Sequence, residues 1–359
     1  MPFTPVHTLL GGFLLHLSTS TLLSDTGKVF GISGCVDASI FSPTSAAWQR
    51  AALGGLLIAP ALGRAMGWEG VYASDALTGW GQISLNRGIV AGLLVGLGSR
   101  VSSDPATCWY HPVERCILTW QLGSGCTSGH FLCGVSRGSK RSLIATATFF
   151  SAALVTANLT SSTTPSLVAA YTPFYPSRDE LTTLFKIFAI LYGSRTLVRQ
   201  ALKLVHAPSQ IQRLAPYFIA GLTFSFGLSM SGMADPRKVL SFLTVLPLEI
   251  FDPSLGMVVL SGVVPNAIHW LTLEKGKTRF SWEKWSVPTR KDIDWRLIIG
   301  SAIFGIGWGL AGVCPGPALV SVGRVVTGLA MGEAVKGVAQ TIFAFSAAMV
   351  AGMAVGRSI

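Results

Sequence analysis

Apolar residues come along this chain in long, nearly unbroken runs rather than in the alternating or one-sided patterns of soluble strands and helices. Runs near 5–23, 46–66, 86–98, 142–160, 181–203, 213–230, 254–273, 295–312 and 333–355 predict helices. Crossing roughly 30 Å of hydrocarbon takes about 20 apolar residues, and 142–160 (SLIATATFFSAALVTANLT), 254–273 and 333–355 have that length. Between the runs lie four shorter apolar pieces, 36–42, 127–136, 236–247 and 315–330, each about half a membrane long and each preceded by Gly, Ser or Pro. The polar stretch 160–179 reads as a central linker and 274–294 as a long charged loop. The pattern predicts an all-α, polytopic integral membrane protein.

Composition agrees. Half of the 359 residues are hydrophobic and only 12% are charged, against roughly 25% charged in soluble domains. So few charges cannot clothe a soluble protein of this length. The opening residues MPFTPVHTLLGGFLLHLSTSTLLS have no basic start and no clear small-residue cleavage site, so they are expected to form a first membrane segment rather than a cleaved signal. The cell membrane is the expected location.

The net charge of +11 gathers at helix ends and loops: Arg137, Lys140 and Arg141; Arg195, Arg199 and Lys203; and Lys275 through Arg296. The positive-inside bias accounts for this, with 274–296 as the cytoplasmic loop. A basic mouth that concentrates a small anion is the sharper, secondary reading. No basic segment is interleaved with stacking aromatics, so nucleic acid is not an expected partner.

Two stretches recur. Ser33-Gly34-Cys35-Val36-Asp37 is answered by Ser231-Gly232-Met233-Ala234-Asp235, each shortly after a Phe-Gly pair. The ten residues Gly305–Cys314 align without gaps to Gly96–Ser99 joined directly to Gln121–Cys126. That alignment sets aside residues 100–120, whose Arg, Asp, His and Glu would be costly at membrane depth, on the order of 3 kcal/mol each. The stretch reads as an insertion, and Cys108 and Cys116 lose weight with it. The expected organisation is a first membrane repeat at 1–160, a linker at 161–180 and a second repeat at 181–359.

Two halves with two broken helices each match transporters, whose discontinuous segments meet near the midplane at the repeat interface. Irregular backbone at that depth is tolerated only where it is buried in protein or lines a polar cavity. Four breaks therefore point to one central path. Each break ends where a helix can start: Asp37 and Asp235 are candidate N-caps, the latter ahead of Pro236; Thr127 or Ser128 would cap the third; Pro315 and Pro317 open the fourth. Helix N-termini converging on one point favour an anion.

Three cysteines, Cys35, Cys126 and Cys314, sit in these breaks, and Met233 occupies the fourth equivalent position. A neutral thiol is a weak donor and a soft contact, suited to a diffuse sulfur-bearing anion passing along weak sites in series. Free cysteine also packs as a small hydrophobe, and that reading stays open for each of them and for Cys133. Met233 is either packing or a soft pore residue. His130 either meets the anion or a proton, or satisfies local carbonyls. His7 and His16 read as structural, and Gly352 and Gly356 as a helix-contact pair. No CxxC pair, zinc spacing or cofactor motif is present, so neither a metal nor a cofactor is expected, and no enzyme is indicated.

The stretches GSGCTSGHFLCGVSRGSKRS (123–142), GWGLAGVCPGPALV (307–320) and SGMADPRKV (231–239) resemble the signature segments of the YeeE/YedE family of sulfur-transport membrane proteins. The resemblance spans nearly the whole chain except 100–120. It implies thiosulfate import, inverted halves whose short broken helices line an hourglass path, and contact of thiosulfate with Cys35, Cys126 and Cys314. The expectation is a permease for thiosulfate or a related small sulfur anion, embedded in the lipid bilayer, with Thr127, Ser128, His130, Cys133 and Met233 along the path. The alternatives are a membrane thiol-redox protein using Cys126 and Cys133, and a sulfur relay handing sulfur to a soluble carrier protein through 275–296.

Overall fold

The computed structural model describes residues 2–42, 46–68, 76–101, 126–160, 170–204, 209–246, 251–280 and 282–358. Cys108, Cys116 and nearly all of the 100–120 insertion lie outside the described residues, as do 161–169 of the linker and the side chains of Arg195, Arg199 and Lys203.

The apolar runs are helices, with ends within a few residues of the pattern. The first half comprises α1 (Pro5–Thr26), α2 (Ile32–Phe41), α3 (Ala47–Ala65), the short α4 (Ala76–Trp80), α5 (Leu85–Val101), α6 (Ser128–Val135) and α7 (Lys140–Thr160). After α8 (Arg178–Leu204), the second half comprises α9 (Ser209–Met230), α10 (Pro236–Leu243), α11 (Pro253–Thr272), α12 (Trp295–Ala311), α13 (Pro315–Ala330) and α14 (Lys336–Ser358). Two very short strands, β1 (Pro2–Phe3) and β2 (Ala170–Pro173), pair in parallel and hold the chain start beside the segment leading into α8. The fold is all-α and polytopic.

Local chemistry sets the helix limits. Pro5 opens α1, and Gly27, left-handed at φ +67°, closes it by donating its N–H to the Leu23 carbonyl. The Asp235 carboxylate accepts the Arg237 N–H at 2.9 Å and caps α10, with Pro236 at the first helical position. The Asp294 carboxylate caps α12 in the same way, accepting from Leu297 N–H at 2.9 Å.

Among the described residues, α1, α7, α11 and α14 are each long and apolar enough to cross a membrane, and the bent pair α12–α13 adds a fifth candidate span. Their outer faces suit lipid: on α7, Leu143, Val155 and Leu159 are 58%, 60% and 75% exposed. Water would make such a surface unfavourable, whereas hydrocarbon does not.

Packing comes in matched sets. Helix α1 lies against α9, and α5 against α12; α9 packs on α3 as α1 packs on α11; α5 packs on α14 as α12 packs on α7; and α13 meets α14 as α6 meets α7. The glycines of the Gly305–Cys314 alignment occupy matching seams. A Cβ on Gly96 would collide with the Met349 carbonyl of α14, and one on Gly305 with the Phe149 carbonyl of α7. Small residues at these points let backbones approach closely, which in lipid is a principal source of helix association. Gly352 serves the same seam from α14, against the Leu93 carbonyl.

The other recurrence is not structural. Ser33, Gly34 and Cys35 lie inside α2, whereas Ser231–Asp235 forms the turn between α9 and α10. Asp37 is consequently not an N-cap. It sits in the second turn of α2 and pairs with the Arg357 guanidinium through two bonds of 3.0 and 3.1 Å, with Arg100 3.8 Å away.

The charged 274–294 stretch is seated rather than loose. The N–H groups of Arg279, Phe280 and Ser286 donate to the carbonyls of Ser24, Asp25 and Gly27, satisfying groups that the end of α1 leaves without helical partners. Lys28 locks the contact with bonds of 2.7 Å to both Glu283 and the Tyr217 hydroxyl, its ammonium 5.2 Å from the Trp48 ring centroid.

Candidate cysteine-lined cavity

All four breaks meet. Ile32 at the start of α2, Cys126, Thr127 and Ser128 at the start of α6, Met233 ahead of α10, and Cys314 at the start of α13 line one cavity of about 430 Å³. Leu15, Phe131, Phe224 and Val258 complete an otherwise apolar wall, and among the described residues no charged side chain lines it.

Cys126 and Cys314 hold equivalent places. Cys314 immediately precedes α13 and Cys126 stands two residues before α6, and each uses its carbonyl to accept from the residue four further on: His130 N–H at 2.9 Å and Ala318 N–H at 3.1 Å. Gly312, left-handed at φ +69°, caps α12 through an N–H to the Trp308 carbonyl, and α13 leaves at a bend of 40°. That conformation penalises a side chain, so glycine at this point makes the break.

The hydroxyls between the cysteines do not cap their own helix. Thr127 has helical backbone angles and its Oγ1 donates to Cys314 Sγ at 3.3 Å, while Ser128 Oγ accepts the Ile32 N–H at 3.2 Å and lies 3.1 Å from Cys126 Sγ. The expected caps of α6 are thus spent across the cavity, one on the other half's cysteine and one on the first N–H of α2. The helix they open is a π-helix throughout Ser128–Val135. Such wide turns are rare and frequently mark functional sites.

Cys35 stands behind this wall rather than in it. It is 1% exposed, one turn into α2, and within electrostatic range of Cys126. Cys133 lies on the opposite side of α6, where it lines a second cavity of about 300 Å³ with Ser136, Arg137, Asn266, His269 and Trp270. His130 is buried between α6 and α7, its Nδ1 3.0 Å from Ser142 Oγ and its Nε2 without a partner among the described residues; it lines neither cavity. All four described cysteines carry free thiols.

The second cavity was not anticipated from the sequence. Its signal was Asn266, a polar residue inside the apolar run 254–273, which such runs hold only where it finds partners. Here it bonds Thr19, the Leu132 carbonyl and His16 Nδ1, at 3.0, 3.2 and 2.8 Å.

A polytopic helical membrane protein whose interrupted segments converge on a central chamber has the architecture of a transporter. Comparison with known proteins points the same way. A relative from Xylella fastidiosa (strain Temecula1), described as "Probable transporter", is 42% identical over 135 residues, which are 37% of this chain and 81% of the relative. Its counterpart in strain 9a5c is also 42% identical over 135 residues, covering 82% of that protein. A further Temecula1 protein with the same description is 36% identical over 151 residues, 42% of this chain and 91% of the relative. The chain belongs to the family of these proteins, and their shared description supports a transporter role. The model described as "Family of unknown function (DUF6691)" matches residues 212–358. No solved structure matches significantly. Each relative is a little under half as long as this chain, the size of one half of the fold.

Proposed function

We propose that the protein is a permease that imports thiosulfate or a related small sulfur-containing anion across the cell membrane. The observation carrying the reading is the meeting of Cys126 and Cys314, from opposite halves, at one cavity to which all four breaks contribute. An uncharged chamber with thiol and hydroxyl donors holds an anion weakly, and weak binding lets it leave as well as enter. The resemblance of the motifs around Cys126, Cys314 and Met233 to the YeeE/YedE family supports the choice of substrate. Thr127 and Ser128 would offer hydroxyls and Met233 a soft surface. Cys35 would act from behind the wall, and Cys133 and His130 on the far side of α6. The repeats would run 1–160 and 181–359 around the 161–180 linker.

Neither alternative gains from the geometry. Cys126 and Cys133 line different cavities, a poor arrangement for a disulfide pair. The basic stretch proposed to meet a sulfur carrier is occupied by the end of α1. The test is uptake of radiolabelled thiosulfate by liposomes containing only the purified full-length protein. Uptake above that of empty liposomes supports a permease; none, from folded and correctly inserted protein, removes it.

A further inference from the structure

The π-helix α6 is a partition one helix thick. Cys126, Thr127, Ser128, Phe131 and Leu132 face the cysteine chamber, whereas Cys133, Ser136 and Arg137 face the second cavity. The two chambers differ in chemistry. Among the described residues, the first is lined by no charged side chain, whereas the second holds a guanidinium together with polar groups from α1 (Thr19, Ser20) and α11 (Asn266, His269).

Arg137 makes this cavity more than a void. Its Nε donates to the Cys133 carbonyl at 2.9 Å, closing the C-terminal end of α6, and its guanidinium carbon lies 5.8 Å from the Trp270 ring centroid. No carboxylate pairs with it among the described residues, unlike Arg141, Arg237 and Arg357. A largely enclosed guanidinium anchored through Nε, with no acidic partner among the described residues, keeps its terminal N–H groups for an acceptor that those residues do not supply. Planar, two-pronged donation is the geometry that suits oxyanions. Lys275, its ammonium 5.2 Å from the Trp270 ring centroid, adds positive potential at the same corner, which attracts anions toward it.

We infer that the second cavity is an entry site for a small oxyanion of the sulfate or thiosulfate class, bound by Arg137 with the polar side chains of α1 and α11, one partition away from the cysteine chamber. The inference rests on the transport reading above and adds a selection step to it. Charge selects the anion in the second cavity, and neutral thiols pass it on in the first. The phosphate of an anionic lipid shares this chemistry, and the test separates the two sources.

Purified full-length protein in nanodiscs of phosphatidylcholine alone, and in nanodiscs also containing phosphatidylglycerol, is titrated with sodium sulfate and sodium thiosulfate, with sodium chloride as control. Saturable binding of both oxyanions in both lipids is expected. Arg137→Gln should weaken it at least ~10-fold, the loss typical of a charge-assisted bond, and Arg137→Lys less. Ser20→Asp, which leaves Arg137 and its bond to Cys133 intact, should abolish binding even if Arg137→Gln fails to fold. Wild-type affinity in Arg137→Gln or in Ser20→Asp overturns the site, as does binding seen only without phosphatidylglycerol, which would assign the cavity to lipid. Arg137-dependent sulfate binding without thiosulfate uptake would sink the transport reading and leave this site standing; uptake with Arg137-independent binding would do the reverse.

Discussion

The Thr127 hydroxyl donates to the Cys314 sulfur across 3.3 Å, joining residues 187 positions apart, one at the start of α6 and one ahead of α13. The bond keeps the sulfur facing the cavity and holds the start of α6 against the start of α13. It also aims the hydroxyl at a weak acceptor, which the oxygen of an entering anion can replace with a better one.

Removing the hydroxyl while keeping the shape should therefore slow transport without unfolding the protein. A buried hydrogen bond contributes about 1 kcal/mol net, so Thr127→Val should reduce thiosulfate uptake roughly five-fold, and Thr127→Ser should restore most of it. Equal rates in Thr127→Val and the wild type would show that the bond has no part in the path.

The cysteines should not behave alike. Cys126 and Cys314 line the chamber, and Cys35 does not. Uptake kinetics should show a large loss of rate in Cys126→Ala and Cys314→Ala. Cys35→Ala should act mainly through packing, with a melting temperature lowered in step with any loss of activity. A Cys35→Ala protein of unchanged stability and abolished uptake would move Cys35 into the path.

The glycine seams predict matched defects. Gly96 and Gly305 each face a carbonyl of the neighbouring helix, and forcing extra volume into such a contact costs about 1–3 kcal/mol. Gly96→Val and Gly305→Val should both lower the melting temperature in detergent, by similar amounts. A strong effect from one and none from the other would break the equivalence of the two halves.

Asp37 ties α2 to α5 and α14 through Arg100 and Arg357. Its side chain is 9% exposed, and stripping one partner from a buried pair destabilises by about 3–5 kcal/mol because the remaining charge is stranded. Asp37→Asn should be markedly destabilised in chemical denaturation, and adding Arg357→Met should recover part of the loss. No recovery in the double variant would show that the pair itself is not the cause.

Much of the fold was legible because membrane helices announce themselves through apolar length, and the Gly-rich breaks mark where the helix ladder must stop. The Gly305–Cys314 alignment carried further: Gly96 and Gly305, then Cys126 and Cys314, fall at matching places because each is fixed by a close backbone approach or a helix start. The shorter match at Ser33–Asp37 misled, since small residues serve helix interiors in lipid as readily as turns, and five positions do not distinguish them. The caps failed for a related reason. Thr127 and Ser128 have the right chemistry for their own helix, but Cys314 and the Ile32 N–H, distant in sequence, compete for their hydroxyls. The π-helical winding of α6 leaves no period in so short and glycine-rich a stretch, and with it went the partition that places Cys133 and Arg137 on a different chamber from Cys126.

The account stands on anion passage through the chamber shared by Cys126 and Cys314, and one measurement reaches it most directly: radiolabelled thiosulfate uptake into proteoliposomes containing the Cys126→Ala/Cys314→Ala double variant, folded and inserted like the wild type. Uptake reduced to the level of empty liposomes is the predicted result. Uptake at the wild-type rate would contradict it.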